Sequence, residues 1–410
     1  MTGLGIGLGI GAAAEGPAGG RWRVGISGSG FVARSVAAVL ARTPDFVVTG
    51  VLSRRPAPLS APFFPEGVVT NARDALIERA DIVFECSGDT AHAAEVLVAA
   101  GAAGRHLVTL NAEAQVTLGT ELLHRGFSVT EAHGDQPGAL AELAEEARSI
   151  GFEPRAYVNF KGFHDPDPTP ENMRFWSAKQ QSTIRAVTSY TDGGKLQIEQ
   201  VLVANGLDAG IARTGLIGGP ADDLLDLDYL LEAADALGRP VSDYIVHPKG
   251  PKGVAILAAC PLAELSPDYS VFTKVRTRRG RGYMLLKPHY FVHLEVPKTL
   301  RRMVAGGPPL ITNGLRPTVL IAAIAKRDIP AGTRIETALG GFELRGEAAT
   351  IAGHADAVPI TLLDGARTRR AVARGAMLRE ADVEVPETLA RALWRRTVGR
   401  VEAEAAHATA

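Results

Sequence analysis

The feature that most constrains this chain is a glycine-rich turn between a short apolar strand and an amphipathic helix. The turn reads GSGFVA, the pattern G-x-G-x-x-A, and it separates the predicted strand Arg23–Ser27 from the predicted helix Ala33–Arg42. In such a turn the first glycine permits a tight bend, and the second lets the backbone approach a pyrophosphate. The free N–H groups at the helix N-terminus then favour an anion. The pattern predicts a dinucleotide site with contacts from Gly28, Ser29, Gly30, Phe31 and Val32.

The end of the next predicted strand indicates which dinucleotide is bound. An acidic residue about 20 positions after the turn would bind the ribose hydroxyl of NAD. Here the strand Phe46–Leu52 ends in Ser53, Arg54 and Arg55 without a carboxylate. Two arginines can hold a 2′-phosphate, so we expect NADP(H). Solvated arginines at a strand end are the alternative, and NAD stays open.

Two further strand ends belong to the expected site, because ligands bind at the carboxyl ends of parallel strands. Ser87 and Gly88 follow the predicted strand Asp81–Cys86 and are expected to contact the cofactor. Asn111 and Glu113 follow the next strand and are expected near the nicotinamide. A small buried hydrophobe is the preferred interpretation of Cys86, with a nucleophile as the alternative.

The alternation of strands and helices divides the chain into regions. We predict a flexible Gly/Ala-rich leader at 1–21 and a Rossmann domain with a parallel sheet at 22–155. An α+β catalytic and dimerisation domain is expected at 156–310. Its predicted elements are the strands Ile184–Tyr190, Val254–Ala259 and Phe272–Val275 and the helices Leu196–Asn205 and Asp222–Leu237.

An internal repeat marks the last region. Arg327–Ile335 recurs as Arg370–Leu378, and in both copies a glycine follows the arginine at the same spacing. Each glycine would supply a tight turn that other residues adopt only with strain. The repeat predicts a small β domain at 316–386, followed by a C-terminal helix and tail at 387–410.

Polar residues after the Rossmann region are the candidates for chemistry. Alternation would place Glu131, His133 and Asp135 on one face, which leaves metal ligation and a hydrogen-bonded turn both open; no metal ligand is assigned, and the need for a divalent metal stays open. A buried lysine can polarise a carbonyl or donate a proton, and redundant surface charge is the alternative. The candidate catalytic residues are Lys161, Lys195, Asp135, Glu199, Lys287 and His289.

Several of these segments together resemble a known family, the homoserine-dehydrogenase-like proteins that end in a SAF (β-clip) domain. That family includes enzymes similar to deoxyxylulose-phosphate reductoisomerase. The resemblance spans about Arg23 to Pro386. Its carriers are Gly28–Ala33, Asn111–Glu113, Gly134–Gly138, Lys161-Gly162, Thr188–Gly193, Val203–Asn205, Lys287–Tyr290, His293–Pro297 and Ala325–Gly332.

The resemblance implies an NADP-linked domain, a catalytic domain and a SAF domain, with a homodimer as the assembly. Family members either interconvert an alcohol and an aldehyde, or rearrange a carbon skeleton and reduce the carbonyl formed. Homoserine dehydrogenases carry a lysine in an Ala-Asn-Lys segment where this chain has Glu113, and His133 stands where an acidic residue or asparagine is expected. The first departure argues against homoserine dehydrogenase itself, and the second against a metal site there.

Composition narrows the partners. The formal net charge is -1, which gives no general attraction to nucleic acid or an anionic membrane. The two cysteines, Cys86 and Cys260, are far apart and predict a reducing cytoplasm without a disulfide framework. We therefore expect a small-molecule substrate.

Three functions follow from these patterns. The first is an NADP(H)-dependent oxidoreductase of a small polar hydroxy or carbonyl compound, with isomerisation of a branched or phosphorylated sugar-like compound as one form. Plain alcohol–aldehyde dehydrogenation is the second, and a non-catalytic cofactor-binding sensor is the third.

Overall fold

The computed structural model describes residues 20–55, 63–250, 252–261 and 275–409. The predicted leader, apart from its last two residues, lies outside this range. So does the predicted strand Phe272–Val275, apart from its last residue. Within the described residues no helix is both long and apolar enough to cross a membrane.

The first part of the chain forms a parallel six-stranded sheet with the strand order β3-β2-β1-β4-β5-β6. Helices cover it on both faces, as predicted for a Rossmann domain. The strands are β1 (Trp22–Ser27), β2 (Phe46–Leu52), β3 (Val69–Thr70), β4 (Ile82–Glu85), β5 (His106–Thr109) and β6 (Val129–Glu131). The helices between them are α1 (Phe31–Leu40), α2 (Arg73–Glu78), α3 (Thr90–Ala102) and α4 (Ala112–His124).

The strand order decides where a ligand can lie. β1 pairs with β2 on one side and with β4 on the other, so the chain reverses its direction of winding between β1 and β4. The crevice outside the carboxyl ends at such a point is the ligand site of open α/β sheets. α1 presents Ala33, Val36, Ala37 and Leu40 to the core at helical spacing, as the sequence predicts.

The middle of the chain builds a second sheet, ordered β10-β9-β7-β8, in which β7 runs parallel to β8 and antiparallel to β9. Its strands are β7 (Glu153–Lys161), β8 (Val241–Val246), β9 (Val254–Ala259) and β10 (Tyr283–Lys287). The helices of this part are α5 (Gln136–Ser149), α6 (Pro170–Gln180), α7 (Ile184–Thr191), α8 (Gly194–Gly206), α9 (Asp228–Leu237) and α10 (Val296–Val304).

Two secondary-structure predictions in this part need correction. The helix predicted at Asp222–Leu237 begins only at Asp228, because the residues before it form turns. The segment predicted as the strand Ile184–Tyr190 is the helix α7. Thr183 caps it, since its side chain accepts a hydrogen bond from the Ala186 N–H at 3.2 Å. Val187, Thr188 and Ser189 form its buried face. The cap and tertiary packing therefore outweigh the strand preference of the β-branched residues.

The C-terminal part forms the predicted small antiparallel β domain. β11 (Val319–Ala325) pairs with β12 (Leu344–Thr350), and β13 (Arg367–Thr368) pairs with β14 (Val383–Glu384). The last helix, α11 (Leu389–Thr409), packs against α3 and α4 of the Rossmann domain.

The two copies of the internal repeat pair with each other. Ile329 and Val372 exchange both backbone hydrogen bonds, at 2.8 and 2.9 Å. Gly332 and Gly375 adopt φ values of 79° and 81°, so the tight turns predicted at these glycines are confirmed.

A fully buried ion pair joins the C-terminal domain to the catalytic part. Lys326 Nζ lies 2.5 Å from Asp192 Oδ2, and neither side chain is exposed. The other oxygen of Asp192 accepts a hydrogen bond from the Gly194 N–H at 2.8 Å. The pair therefore fixes the turn at Gly193, where φ is 82°, directly before Lys195.

Candidate active site

The fingerprint turn has the geometry that a pyrophosphate requires. Gly28 has a φ of 120°, and a Cβ there would lie 3.2 Å from the Cys86 carbonyl group. Gly30 is the N-cap of α1, and no described heavy atom lies within 4 Å of the position its Cβ would take. The helix N-terminus is therefore open to an anion, and the residues present fit a dinucleotide.

Serine hydroxyls and arginines meet at the carboxyl end of β2. Ser29 Oγ lies 2.8 Å from Ser53 Oγ, and Ser53 accepts a hydrogen bond from the Arg55 N–H at 3.1 Å. Arg54 and Arg55 are exposed. Arg54 Nη1 forms an ion pair with Asp89 Oδ2 at 2.7 Å. The structure therefore places the predicted cofactor residues beside the turn, with one arginine engaged by a carboxylate.

A buried acid holds the next two strand ends together. Glu85 Oε1 accepts hydrogen bonds from the Ser87 N–H at 2.7 Å and from Asn111 Nδ2 at 3.3 Å. Burial raises the pKa of Glu85 above its ordinary value. Asn111 in turn caps α4 by accepting a hydrogen bond from the Ala114 N–H at 3.1 Å. In the sequence Glu85 is visible only as part of a predicted strand, because nothing in that segment indicates which groups its side chain will contact.

Lys195 and Glu113 come together from two domains. Lys195 Nζ lies 2.9 Å from Glu113 Oε2, and the two side chains are 14% and 13% exposed. Glu113 sits in the first turn of α4, and Lys195 sits at the start of α8. A predicted cofactor residue and a predicted catalytic residue are therefore direct partners.

Lys161 forms a second pair beside the first. Its Nζ lies 3.3 Å from Glu199 Oε2, and the same oxygen accepts a hydrogen bond from Asn159 Nδ2 at 3.0 Å. Glu199 is one helical turn after Lys195 on α8. Since the side chain of Glu199 is 3% exposed, Lys161 is the end of this pair that a small molecule can reach.

Asp135 and its neighbour Gln136 lie beside the Lys161–Glu199 pair. Asp135 caps α5 by accepting a hydrogen bond from the Gln136 N–H at 3.0 Å. In the orientation that satisfies its amide, Gln136 donates to Asp135 and accepts from Tyr290 at 2.8 Å and from Lys161 at 3.1 Å. Gln136 and Tyr290 were missed as site residues, although both lie in segments that carry the family resemblance.

The electrostatics of the cluster keep Lys195 protonated. Burial lowers the pKa of Lys195, but the carboxylates of Glu113, Asp135 and Glu199 outweigh it, so the pKa lies above its ordinary value. Burial raises the pKa of Glu199, and the charge of Lys161 opposes that rise. Lys195 therefore acts as a fixed positive charge at neutral pH, since it does not release its proton easily.

One cleft connects this cluster to the dinucleotide site. It has a volume of about 280 Å³ and includes Ser87, Gly88 and Glu113 on the Rossmann side and Lys195 and Tyr190 on the other. Tyr190, on α7, is 55% exposed and was not among the predicted site residues. A molecule in this cleft would contact the loops assigned to the cofactor and the Lys195–Glu113 pair at once.

The remaining two predicted catalytic residues lie in other surroundings. Lys287 Nζ is bound by Glu142 and lies 3.4 Å from Glu295 Oε2. His289 is exposed, and its ring packs at 5.3 Å from the ring of Phe291. Neither makes a direct contact with Lys161 or Lys195 among the described residues.

The expected alternation at Glu131, His133 and Asp135 is wrong, because β6 ends at Glu131 and Asp135 already caps α5. His133 Nδ1 lies 2.8 Å from Thr299 Oγ1, away from the other two. Across the described ranges, no group of three or more His, Cys, Asp or Glu side chains has an arrangement that could hold a metal ion.

Two parts of the chain match the models of known families. Residues 134–296 match the family model described as "Oxidoreductase DRL, catalytic domain", and residues 322–384 match the SAF domain. The first range contains Asp135, Lys161, Lys195 and Glu199. Two parts of the chain therefore match, in order, an oxidoreductase catalytic domain and a SAF domain, and the second match lies within the small β domain predicted from the repeat.

Solved structures resemble the chain only distantly. A UDP-N-acetylglucosamine 3-dehydrogenase, GnnA, from Acidithiobacillus ferrooxidans is 15% identical with a TM-score of 0.40, and the match covers 72% of this chain and 92% of that one. A probable dehydrogenase from Thermotoga maritima is 15% identical with a TM-score of 0.41, and the match covers 71% and 91%. No curated protein sequence matches the chain.

Proposed function

We propose that this protein is an NADP(H)-dependent oxidoreductase that acts on a small polar hydroxy or carbonyl compound. One observation carries the proposal: Ser87 and Gly88 share a cleft with the Lys195–Glu113 pair. Hydride transfer to a carbonyl carbon requires a cofactor beside the substrate and a positive charge near the carbonyl oxygen, and this cleft has residues suited to both.

The cofactor residues have separate parts in this proposal. Gly28 and Gly30 admit the pyrophosphate to the N-terminus of α1. Ser53, Arg54 and Arg55 lie where the adenosine ribose and its 2′-phosphate would be held. Ser87, Gly88, Asn111 and Glu113 would flank the nicotinamide.

When bound, a nicotinamide cofactor supplies the hydride chemistry. Lys195 donates a hydrogen bond to the carbonyl oxygen of the substrate and stabilises the negative charge that develops there. Glu113 keeps the lysine in position, since their atoms lie 2.9 Å apart. Lys161 is the candidate proton donor, because it faces the same cluster through Glu199 and Gln136.

Two lysine–carboxylate pairs on one cluster also favour a substrate with two neighbouring oxygens. Lys195 and Lys161 could each bind one oxygen, and Asp135, whose charge acts on the pKa of both Lys195 and Glu199, would orient them. This arrangement supports isomerisation of the carbon skeleton before reduction. Plain dehydrogenation is the alternative. Carbon-13 NMR of the product separates them, because only isomerisation changes carbon connectivity.

The test uses a panel of polyols, hydroxy acids and sugar phosphates with NADP⁺ or NADPH. Lys195→Met should lower kcat by about 10²–10³-fold, the usual cost of removing one group that stabilises developing charge. Lys161→Ala should lower turnover similarly, while NADPH still quenches the protein fluorescence of both variants as it does that of the wild type. Full activity in both variants would overturn the assignment of the two lysines.

A cofactor-binding sensor remains the second candidate function, because Leu339, within the range matched by the SAF domain, lines the cleft. Tight dinucleotide binding with no turnover on the whole panel would favour it.

A homodimer is also proposed. Phe163 and Phe175 are 64% and 60% exposed, which supports a covered surface in solution. Light scattering on the purified chain tests the assembly, and a monomer at all concentrations would contradict it.

A further inference from the structure

A second cleft lies between Arg54, which follows β2, and the N-terminus of α3, where the adenosine half of a dinucleotide would be bound. It has a volume of about 690 Å³ and opens between the Rossmann domain and α11. Its position follows from β2, whose carboxyl end meets the adenosine ribose in this fold. The lining residues that carry charge or a titratable group are Arg54, Asp89, His92, Glu95 and Glu387.

Each oxygen of the Asp89 carboxylate has one partner in this cleft. One of its oxygens caps α3 by accepting a hydrogen bond from the His92 N–H at 3.0 Å. The other lies 2.7 Å from Arg54 Nη1. Burial alone would raise the pKa of Asp89, but the His92 N–H and the charge of Arg54 outweigh it, so the pKa lies below its ordinary value. Asp89 is therefore a charged carboxylate at neutral pH.

This carboxylate affects the two cofactors in opposite ways. A 2′-phosphate bound by Arg54 would bring further negative charge close to Asp89, so the two anions would compete for one guanidinium group. A 2′-hydroxyl group carries no charge and could donate a hydrogen bond to the carboxylate. The Asp89 carboxylate thus repels a 2′-phosphate and can accept a hydrogen bond from a 2′-hydroxyl group, although no acidic residue follows β2 itself.

We infer that Asp89 is a specificity-determining residue that limits the preference of this protein for NADP over NAD. The inference rests on the proposed dinucleotide-dependent function. In the wild-type protein Arg54 must leave Asp89, or be shared with it, when a 2′-phosphate binds. Removal of the negative charge would free Arg54 for the phosphate and weaken the acceptor for the hydroxyl, because in asparagine the oxygen caps α3 and the amide NH₂ group takes the other position.

Asp89→Asn is a sharp test, because asparagine caps helices about as well as aspartate and leaves α3 in place. We expect the ratio of the NAD and NADP dissociation constants to shift toward NADP by about 10-fold or more, which corresponds to about 1.4 kcal/mol. Calorimetry with both oxidised cofactors at one ionic strength measures this ratio. Asp89→Ser, which also retains a cap, should shift it in the same direction.

Two further variants complete the experiment. Glu95→Gln removes a carboxylate that lines the same cleft but pairs with Arg73 at 3.5 Å, so it should leave the ratio unchanged. Arg54→Ala should weaken NADP more than NAD and should abolish the gain from Asp89→Asn in the double variant.

The outcomes separate the inference from the function on which it rests. If the Asp89 variants bind both cofactors with the wild-type ratio, the inference is overturned and the proposed function stands. If an equal shift occurs in Glu95→Gln, the effect is general to the charge of the cleft and the assignment to Asp89 fails. If the wild-type protein binds neither dinucleotide, the proposed function itself fails.

Discussion

Two lysine–carboxylate pairs on either side of one glycine turn differ in what surrounds them. Lys195 and Glu113 line a cleft, and both side chains remain partly exposed. Lys326 and Asp192 are completely buried, and Asp192 holds the backbone of Gly194. The same two functional groups therefore serve chemistry in one place and architecture in the other, because only the first pair can reach a small molecule.

The largest expected effect on stability comes from the buried Lys326–Asp192 pair. Lys326→Met leaves Asp192 buried without its partner, and should lower the free energy of unfolding by about 3–5 kcal/mol. Urea denaturation followed by circular dichroism measures this. The matched change Lys195→Met should cost far less stability and should act mainly on kcat. Equal losses of stability in the two variants would remove the distinction drawn between the pairs.

A buried acid without a lysine partner sharpens the comparison. Glu131 is fully buried, and its Oε1 has no hydrogen-bond partner among the described residues. Burial raises its pKa well above the ordinary value. The folded protein therefore holds this proton at pH values where the unfolded chain has lost it, and the contribution of Glu131 to stability falls as pH rises above its unfolded pKa.

Glu131→Gln should remove this dependence. We expect the variant to gain stability relative to the wild type as pH rises from 5 to 8, by about 1.4 kcal/mol for each pH unit that lies between the unfolded and the folded pKa of Glu131. Thermal unfolding across that range checks the sign. A gain that grows toward acidic pH would show that Glu131 is charged in the folded protein.

The smallest effect is expected at Lys287, which has two carboxylate partners and a second lysine beside it. Lys287 shares Glu142 and Glu295 with Lys298, whose Nζ lies 3.1 and 3.0 Å from the two carboxylates. Because Lys298 can compensate, Lys287→Met should change kcat by less than about threefold and stability by no more than about 1 kcal/mol. Steady-state kinetics decides, and a loss as large as that of Lys195→Met would return Lys287 to the catalytic group.

Local patterns predicted much of the fold. The strand Val254–Ala259 and the helix Leu196–Asn205 were predicted closely, because an unbroken apolar run and helical spacing are properties of neighbouring residues. The segment Ile184–Tyr190 was predicted wrongly as a strand. Its β-branched residues favour a strand, whereas the cap at Thr183 and packing in the catalytic part produce a helix.

The candidate site could be predicted only as a set of separate residues. Glu113 and Lys195 were both named, but they are 82 positions apart, and nothing in either segment indicates the other as its partner. Glu85 carries no local signal, and Gln136 stands out only within the segment Gly134–Gly138 that carries the family resemblance. The importance of both comes from the groups that folding brings against them.

The sequence by itself determined the glycine turn at Gly28–Ala33, the succession of strands and helices around it, and the two turns at Gly332 and Gly375. These features depend on backbone conformations that few residues adopt and on spacing along one segment. Only the tertiary structure decided that Lys195 faces a cleft while Lys326 is fully buried, and that Asp89 forms an ion pair with Arg54. The charge state and accessibility of a side chain depend on groups that folding brings from distant parts of the chain.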